Sequence, residues 1–329
     1  MTIDPETFPE TLIEAVSYFA DEQKAFEFMK SLRWPDGKIS CARCGCERVS
    51  FLSTRNVWKC GECKKQFSAK VGTIFEDSPL GYDKWFPAFW MIVNAKNGIS
   101  SCELARAIGV TQKSAWHMLH RIRLAIHDGS IEKMSGHVEA DETFIGAKAR
   151  TMNNKQKAKR KAFTGGKKGG AIAMTAVQGL LERGVRDQVS RVKCKVIKTI
   201  KKPELQANVR EYVLKGSTVS TDAAPAYVGL ADDFTHGVVD HAISYVKGNI
   251  HTNGLENFWS LLKRTIKGTY VCPSPFHLFR YLDEQAFRFN ERKADDQGRF
   301  LKGIIGIVGC GLRYAKLIGD SEETDGLPA

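Results

Sequence analysis

No stretch of this 329-residue chain stays apolar over the length that a membrane-spanning helix needs. The closest approach, 303–312, is short and interrupted by glycine, and it reads as a packed C-terminal segment. The start of the chain carries Asp4, Glu6, Glu10 and Glu14 where a secretory signal would be basic and then apolar, so no such signal is expected. A disulfide framework is missing too. Of nine cysteines, Cys41, Cys44, Cys46, Cys60 and Cys63 cluster, while Cys102, Cys194, Cys272 and Cys310 are scattered, a usage that suits a reducing cytoplasm. No repeat at solenoid period is evident. Acid is also short: 37 Asp and Glu stand against 49 Lys and Arg, a formal charge of +12. Such a balance favours polyanionic partners, nucleic acid first, and a nucleoid-associated place in the cytoplasm.

The hydrophobic pattern divides the chain. A helix is expected over 12–32, with Phe19, Phe26, Met29 and Leu32 on its apolar face, ending in the turn Trp34-Pro35-Asp36-Gly37. Helical periodicity returns from 82 to about 127 with breaks at Gly98 and Gly109. Valine and isoleucine then mark strands over 137–146, 171–178 and 185–197, followed by a helix over 203–214, a short strand 217–221, a short helix from Pro225, an extended stretch 237–245 and a last helix around Glu256. The expected domains are an N-terminal helical segment (1–37), a cysteine module (38–75), a helical domain (80–130), an α/β domain (136–293) and a C-terminal helical segment with tail (294–329).

Cys41-x-x-Cys44 and Cys60-x-x-Cys63, with fifteen residues between the pairs, have the spacing of a four-thiolate zinc ribbon. Two tight knuckles would close a tetrahedron, and 49–58 would form the hairpin joining them. Four protein ligands leave no open position, so this zinc would be structural. Cys46 is spare. A redox pair is the competing reading, and the doubled motif weighs against it.

Ser100 to Trp116 has the pattern of a helix-turn-helix, with small Ala105 and turn Gly109 where two helices cross. Gln112 and Lys113 would stand at the start of the second helix, where such elements meet base edges. A plain helical hairpin would share this pattern. Residues 148–168 hold nine Lys or Arg and no acid. This basic loop (148–170), with Lys157, Lys159 and Arg160 at its centre, reads equally as a phosphate clamp and as a solvated loop.

Three carboxylates stand out. Asp141 lies within the strand from Val138 to Gly146, where alternation sends Asp141 and Glu142 to opposite faces. Asp222 ends a strand. Glu256 opens a helix on which Leu255, Phe258, Leu262 and Ile266 form a buried stripe, with Trp259 at its edge and Glu256 and Lys263 on an adjacent face two turns apart. The bland alternative is an amphipathic helix with a solvated charged face. His251 could hold a phosphate or serve as a structural loop histidine.

In their order along the chain these pieces resemble an insertion-sequence transposase family with an N-terminal zinc ribbon and a ribonuclease-H-like DDE core. The matching residues are Arg33-Trp34-Pro35-Asp36-Gly37, the four cysteines, Glu139-x-Asp141-Glu142-Thr143, Thr221-Asp222, His251-Thr252-Asn253-x-x-Glu256, Trp259, Lys263-Arg264, Gly268-Thr269-Tyr270, and Tyr281-Leu282-Asp283-Glu284 to Arg288-Phe289-Asn290-x-Arg292. The resemblance implies an α/β fold with a mixed-sheet catalytic core behind the ribbon and helix-turn-helix. It implies Asp141, Asp222 and Glu256 as ligands of catalytic Mg²⁺, with Mn²⁺ as a substitute, and Lys263, beside Arg264, as a DNA contact. Related members carry Asn at the third position, which sets Asn253 beside Glu256 as an alternative. The implied activity is binding of terminal inverted repeats, then cleavage and transfer of strands into target DNA by a homo-oligomeric synaptic complex. A domesticated, noncatalytic DNA-binding regulator is the other reading, against which the intact acid set argues.

Overall fold

The computed structural model describes residues 8–127, 132–146, 174–185, 188–222, 225–239, 251–271 and 273–319, with isolated positions 154, 157 and 158. The chain forms two compact units, one of Met1–His127 with Glu291–Ala329 and one of Asp128–Asn290. Among the described residues no helix is long and apolar enough to cross a membrane.

In the first unit the helix expected over 12–32 is two helices, α1 (Leu12–Ala20) and α2 (Glu22–Arg33). Asp21 divides them: its backbone is extended, and its carboxylate caps α2 by accepting the Lys24 N–H at 3.0 Å. Strands β1 (Val49–Leu52), β2 (Val57–Cys60) and β3 (Gln66–Phe67) form an antiparallel three-stranded sheet. Trp58, 2 % exposed, is its core, with Phe26 stacked at 5.7 Å and Trp34 edge-on at 5.0 Å. Helices α3 (Tyr82–Asn94), α4 (Ser101–Ile108) and α5 (Gln112–Ala125) follow. Ser100 and Glu103 make a reciprocal capping box at the start of α4, Gly109 ends it at φ +66°, and Thr111 caps α5.

The second unit begins with β4 (His137–Ile145), β5 (Thr175–Glu182) and β6 (Arg191–Ile197), then α6 (Lys202–Tyr212), β7 (Thr218–Asp222), β8 (Thr235–Val239), α7 (Asn253–Thr265) and α8 (Leu278–Asn290). The sheet order is β6-β5-β4-β7-β8, with antiparallel pairing among the first three and parallel pairing from β4 through β8. This mixed five-stranded sheet with helices on both faces is a ribonuclease-H-like α/β core. One face packs Val138, Ala140 and Leu180 against Leu205 and Val209 of α6. The other packs Val177 and Leu181 against Leu255, Phe258 and Leu262 of α7 and Leu282 of α8. The second strand runs on to Glu182, opposite Val138 of β4, and the third begins later than its apolar composition suggests, at Arg191 opposite Glu182 of β5. Residues 171–173 and 240–245, also expected in strands, lie outside the described residues.

The chain then returns to the first unit through α9 (Asp296–Ile304) and the short α10 (Tyr314–Ile318). Phe300 of α9 is fully buried among Phe8, Phe19, Phe28, Phe89 and Trp90.

Candidate active site

The four expected thiols converge. Cys41 and Cys63 Sγ lie 3.8 Å apart, Cys44 and Cys60 Sγ 3.6 Å apart, and all four within 4.8 Å of one another. A tetrahedron with Zn–S bonds of about 2.3 Å has edges of about 3.8 Å, so this cluster fits one structural zinc and is too wide for disulfides. The knuckles carry backbone donors to sulfur, from Arg43 N to Cys41 at 3.5 Å and from Glu62 N to Cys60 at 3.3 Å. Such donors suit thiolates. Gly61 gives the second knuckle its tightness, since a Cβ there would lie 2.8 Å from Arg48 Nε and 3.0 Å from the Arg48 carbonyl. Cys46 stays outside the cluster.

The carboxylates meet at the sheet. Parallel pairing of His137–Glu139 with Thr218–Ser220 carries Asp141 and Asp222, two residues further on each strand, to neighbouring positions. Glu256 enters from the first turn of α7 and lines a cleft with Asp141, Glu142, Thr143, Trp259, Ser260 and Lys263, while Asp222 stands outside that lining. Burial is the main cause that lifts the Asp141 pKa above its ordinary value; the charges of Asp222 and Glu256 add to the rise, and a hydrogen bond from Trp259 opposes it. These oxygens are more widely spaced than the thiols, which among the described residues are the one group that close together. Three hard oxygen donors whose charges oppose one another are the donor set that a divalent cation would relieve.

Alternation along β4 separates Asp141 from Glu142 as expected. Asp141 accepts the Trp259 indole N–H at 2.9 Å on the α7 face. Glu142 accepts the Tyr227 hydroxyl on the other, where Gln178 and Asn208 continue the buried network. Burial pushes the Glu142 pKa up to about 7, with Asp141 and Asp222 adding to the Coulombic cost and Tyr227 opposing it.

The stripe on α7 is buried as its spacing predicts, Trp259 included, while Glu256, Lys263 and Arg264 are exposed. A π-turn, Ile266–Tyr270, continues the helix and brings exposed Lys267 to the same cleft. Asn253 is exposed and takes no part in lining it. His251 is held by Arg183, which donates to its carbonyl at 2.6 Å and lies 2.8 Å from its Nδ1. Its ring also stands 3.5 Å from Glu139 Oε1, contacts of which periodicity gave no sign.

Two further residues escaped the sequence reading as functional candidates. Glu139, 1 % exposed, pairs with Arg183 at 2.7 Å and accepts the Leu255 backbone N–H at 2.9 Å. Its position two residues before Asp141, hence on the same strand face, was the available signal. Lys267 needed the π-turn to reach the cleft.

In the first unit, Gln112 and Lys113 occupy the exposed first turn of α5, the rest of which is largely buried. Both already have partners. Gln112 Nε2 donates to Ser101 Oγ at 2.8 Å, and Lys113 Nζ stands 4.5 Å over the Tyr314 ring. Lys157 is exposed, whereas Lys159 and Arg160 lie outside the described residues.

The sequence profile of the ISXO2-like transposase domain matches residues 133–290, and that of the transposase zinc-ribbon domain matches residues 20–66. An uncharacterized protein in the transposable element ISH50 of Halobacterium salinarum is 27 % identical over 258 residues, 76 % of this chain and 84 % of that protein. With the thiol cluster and the mixed sheet in place, the chain belongs to the insertion-sequence transposases that join a zinc ribbon to a ribonuclease-H-like DDE domain.

Proposed function

We propose that this transposase binds the terminal inverted repeats of its element and catalyses Mg²⁺-dependent cleavage and strand transfer, with Asp141, Asp222 and Glu256 holding the metal. The observation that carries this reading is that the charges of Asp222 from β7 and Glu256 from α7 both act on Asp141 of β4, which with Glu256 borders a cleft. Bound Mg²⁺, with Mn²⁺ as substitute, would neutralise charge at the scissile phosphate and promote ionisation of the attacking hydroxyl. The protein's own part is positional. Trp259 fixes the Asp141 carboxylate, and exposed Lys263 and Arg264 of α7 with Lys267 of the π-turn border the same cleft as Glu256, where they can meet phosphates. Attack by water, and later by a 3′-hydroxyl, in line with the leaving oxygen requires no covalent link to the enzyme.

Recognition falls to the ribbon and the first turn of α5, through Gln112 and Lys113, and general affinity to the basic loop with Lys157, Lys159 and Arg160. A homo-oligomeric synaptic complex acting on nucleoid DNA in the cytoplasm completes the proposal. The test compares Asp141→Asn, Asp222→Asn and Glu256→Gln with Glu142→Gln on intact and pre-nicked ends. The first three should lose cleavage by orders of magnitude while keeping terminal-repeat binding, and Glu142→Gln should keep far more activity than Asp141→Asn. Normal joining by the Asp222→Asn protein would sink the assignment.

A further inference from the structure

The start of α7 lacks the cap its sequence offers. Thr252 occupies the N-cap position but makes no side-chain cap bond, so the first N–H groups of the helix need acceptors from elsewhere. Glu139 supplies one from the neighbouring strand, its Oε2 accepting the Leu255 N–H at 2.9 Å. A carboxylate at this end also suits the helix dipole. Its other oxygen is held by Arg183 Nε at 2.7 Å, and Arg183 in turn grips the His251 carbonyl just before the helix. The fit leaves no room for a side chain at 254: a Cβ there would stand 2.9 Å and 3.1 Å from the two Glu139 oxygens and 3.1 Å from Leu181 Cδ2.

The same strand and helix are tied again one step further. Asp141, two residues along β4 from Glu139, accepts from Trp259, four residues along α7 from Leu255. Two residues of strand advance about 6.7 Å and one helical turn about 5.4 Å, so the spacings run nearly in step. Glu256 lies between the two ties. Its distance from Asp141 therefore depends on both.

We propose that Glu139 is a positioning residue: with Arg183 and side-chain-free Gly254 it locks the start of α7 onto β4 and thereby sets where Glu256 stands relative to Asp141. This rests on the proposed metal-binding role of Asp141 and Glu256. The test is Mn²⁺ affinity of the full chain by calorimetry. Gly254→Ala is the informative change, because the added methyl meets the two Glu139 oxygens first; a role in general stability alone predicts a lower melting temperature with wild-type Mn²⁺ affinity. The lock predicts instead roughly tenfold or greater weakening of Mn²⁺ binding, the usual cost of disturbing groups behind a metal ligand. Adding Glu139→Asp, which withdraws the carboxylate by one methylene, should bring affinity back to within about threefold of wild type. Wild-type affinity in Gly254→Ala would overturn the proposal. So would a loss that Glu139→Asp leaves in place, since the added methyl would then be acting on Leu181.

Asp141→Asn is the control for the underlying reading and should abolish the Mn²⁺ signal. If it does not, the metal assignment fails by itself. The lock is then judged by amide exchange at Leu255, which Gly254→Ala should accelerate about tenfold if Glu139 caps that N–H and leave unchanged if it does not.

Discussion

Trp259 donates its indole N–H to Asp141 at 2.9 Å while its ring lies against Gly179, the residue paired with Asp141 across β4 and β5. A Cβ on Gly179 would come within 2.6 Å of the ring, so the bare position on β5 is what admits the indole. Trp259→Phe keeps most of the ring and removes the donor. Mn²⁺ affinity and strand cleavage should both fall about tenfold, with a stability loss of about 1 kcal/mol. Gly179→Ala should cost more stability, roughly 1–3 kcal/mol, by displacing the ring itself. Unchanged Mn²⁺ binding in Trp259→Phe would show that Asp141 needs no such orientation.

Zinc should be present at one ion per chain and removable only with loss of the ribbon. Cys60→Ser, or strong chelation, should disorder the segment around 38–70 and leave the sheet of the second unit folded. Metal analysis and hydrogen exchange read the two parts separately. Zinc-free protein with a protected ribbon would contradict the structural role.

Acid should loosen the C-terminal segment from α5. His117 Nε2 lies 3.2 Å from the Leu312 carbonyl, with Tyr314 edge-on to the ring. Burial first, and then the Arg121 charge, hold the His117 pKa below its ordinary 6.5. The unfolded chain thus takes up the proton first, so the contribution to stability is full above that value and declines as pH falls towards the lowered pKa. Melting temperatures at about pH 7.5 and about pH 5.5 should show a larger acid-induced drop for wild type than for His117→Gln. Equal drops would remove His117 as the cause.

The cations of α7 and its π-turn should act on DNA without regard to sequence. Replacing Lys263, Arg264 or Lys267 by alanine should weaken cognate and random duplex alike and reduce the salt slope by about 0.9 for each phosphate no longer neutralised. Lys113→Ala should instead weaken the cognate terminal repeat preferentially. A sequence-selective effect at Lys267 would assign it to base reading.

The local parts of this protein were legible because each follows from short-range chemistry. Paired cysteines at knuckle spacing, two helices from Ser100 to Trp116 with a turn glycine at 109, and a 3.6-residue stripe from Leu255 to Ile266 all express constraints between residues close in the chain. Alternation likewise placed Asp141 and Glu142 on opposite faces before either had a known partner. The division of the N-terminal helix was missed because Asp21 suits both a helix surface and a cap, and only its extended backbone distinguishes them.

What the chain determined alone was which residues could ligate, cap or bury themselves, since spacing and side-chain chemistry fix those capacities. Which of them meet was decided by the tertiary structure. Gly179 is an unremarkable strand glycine until Trp259 lies on it, and Glu139 an ordinary acid until α7 sets the Leu255 N–H against it. The β4 register and the seating of α7 are collective results of packing across more than a hundred residues of sequence, as the 118-residue separation of Trp259 from Asp141 illustrates, and no local pattern encodes a pairing of that range.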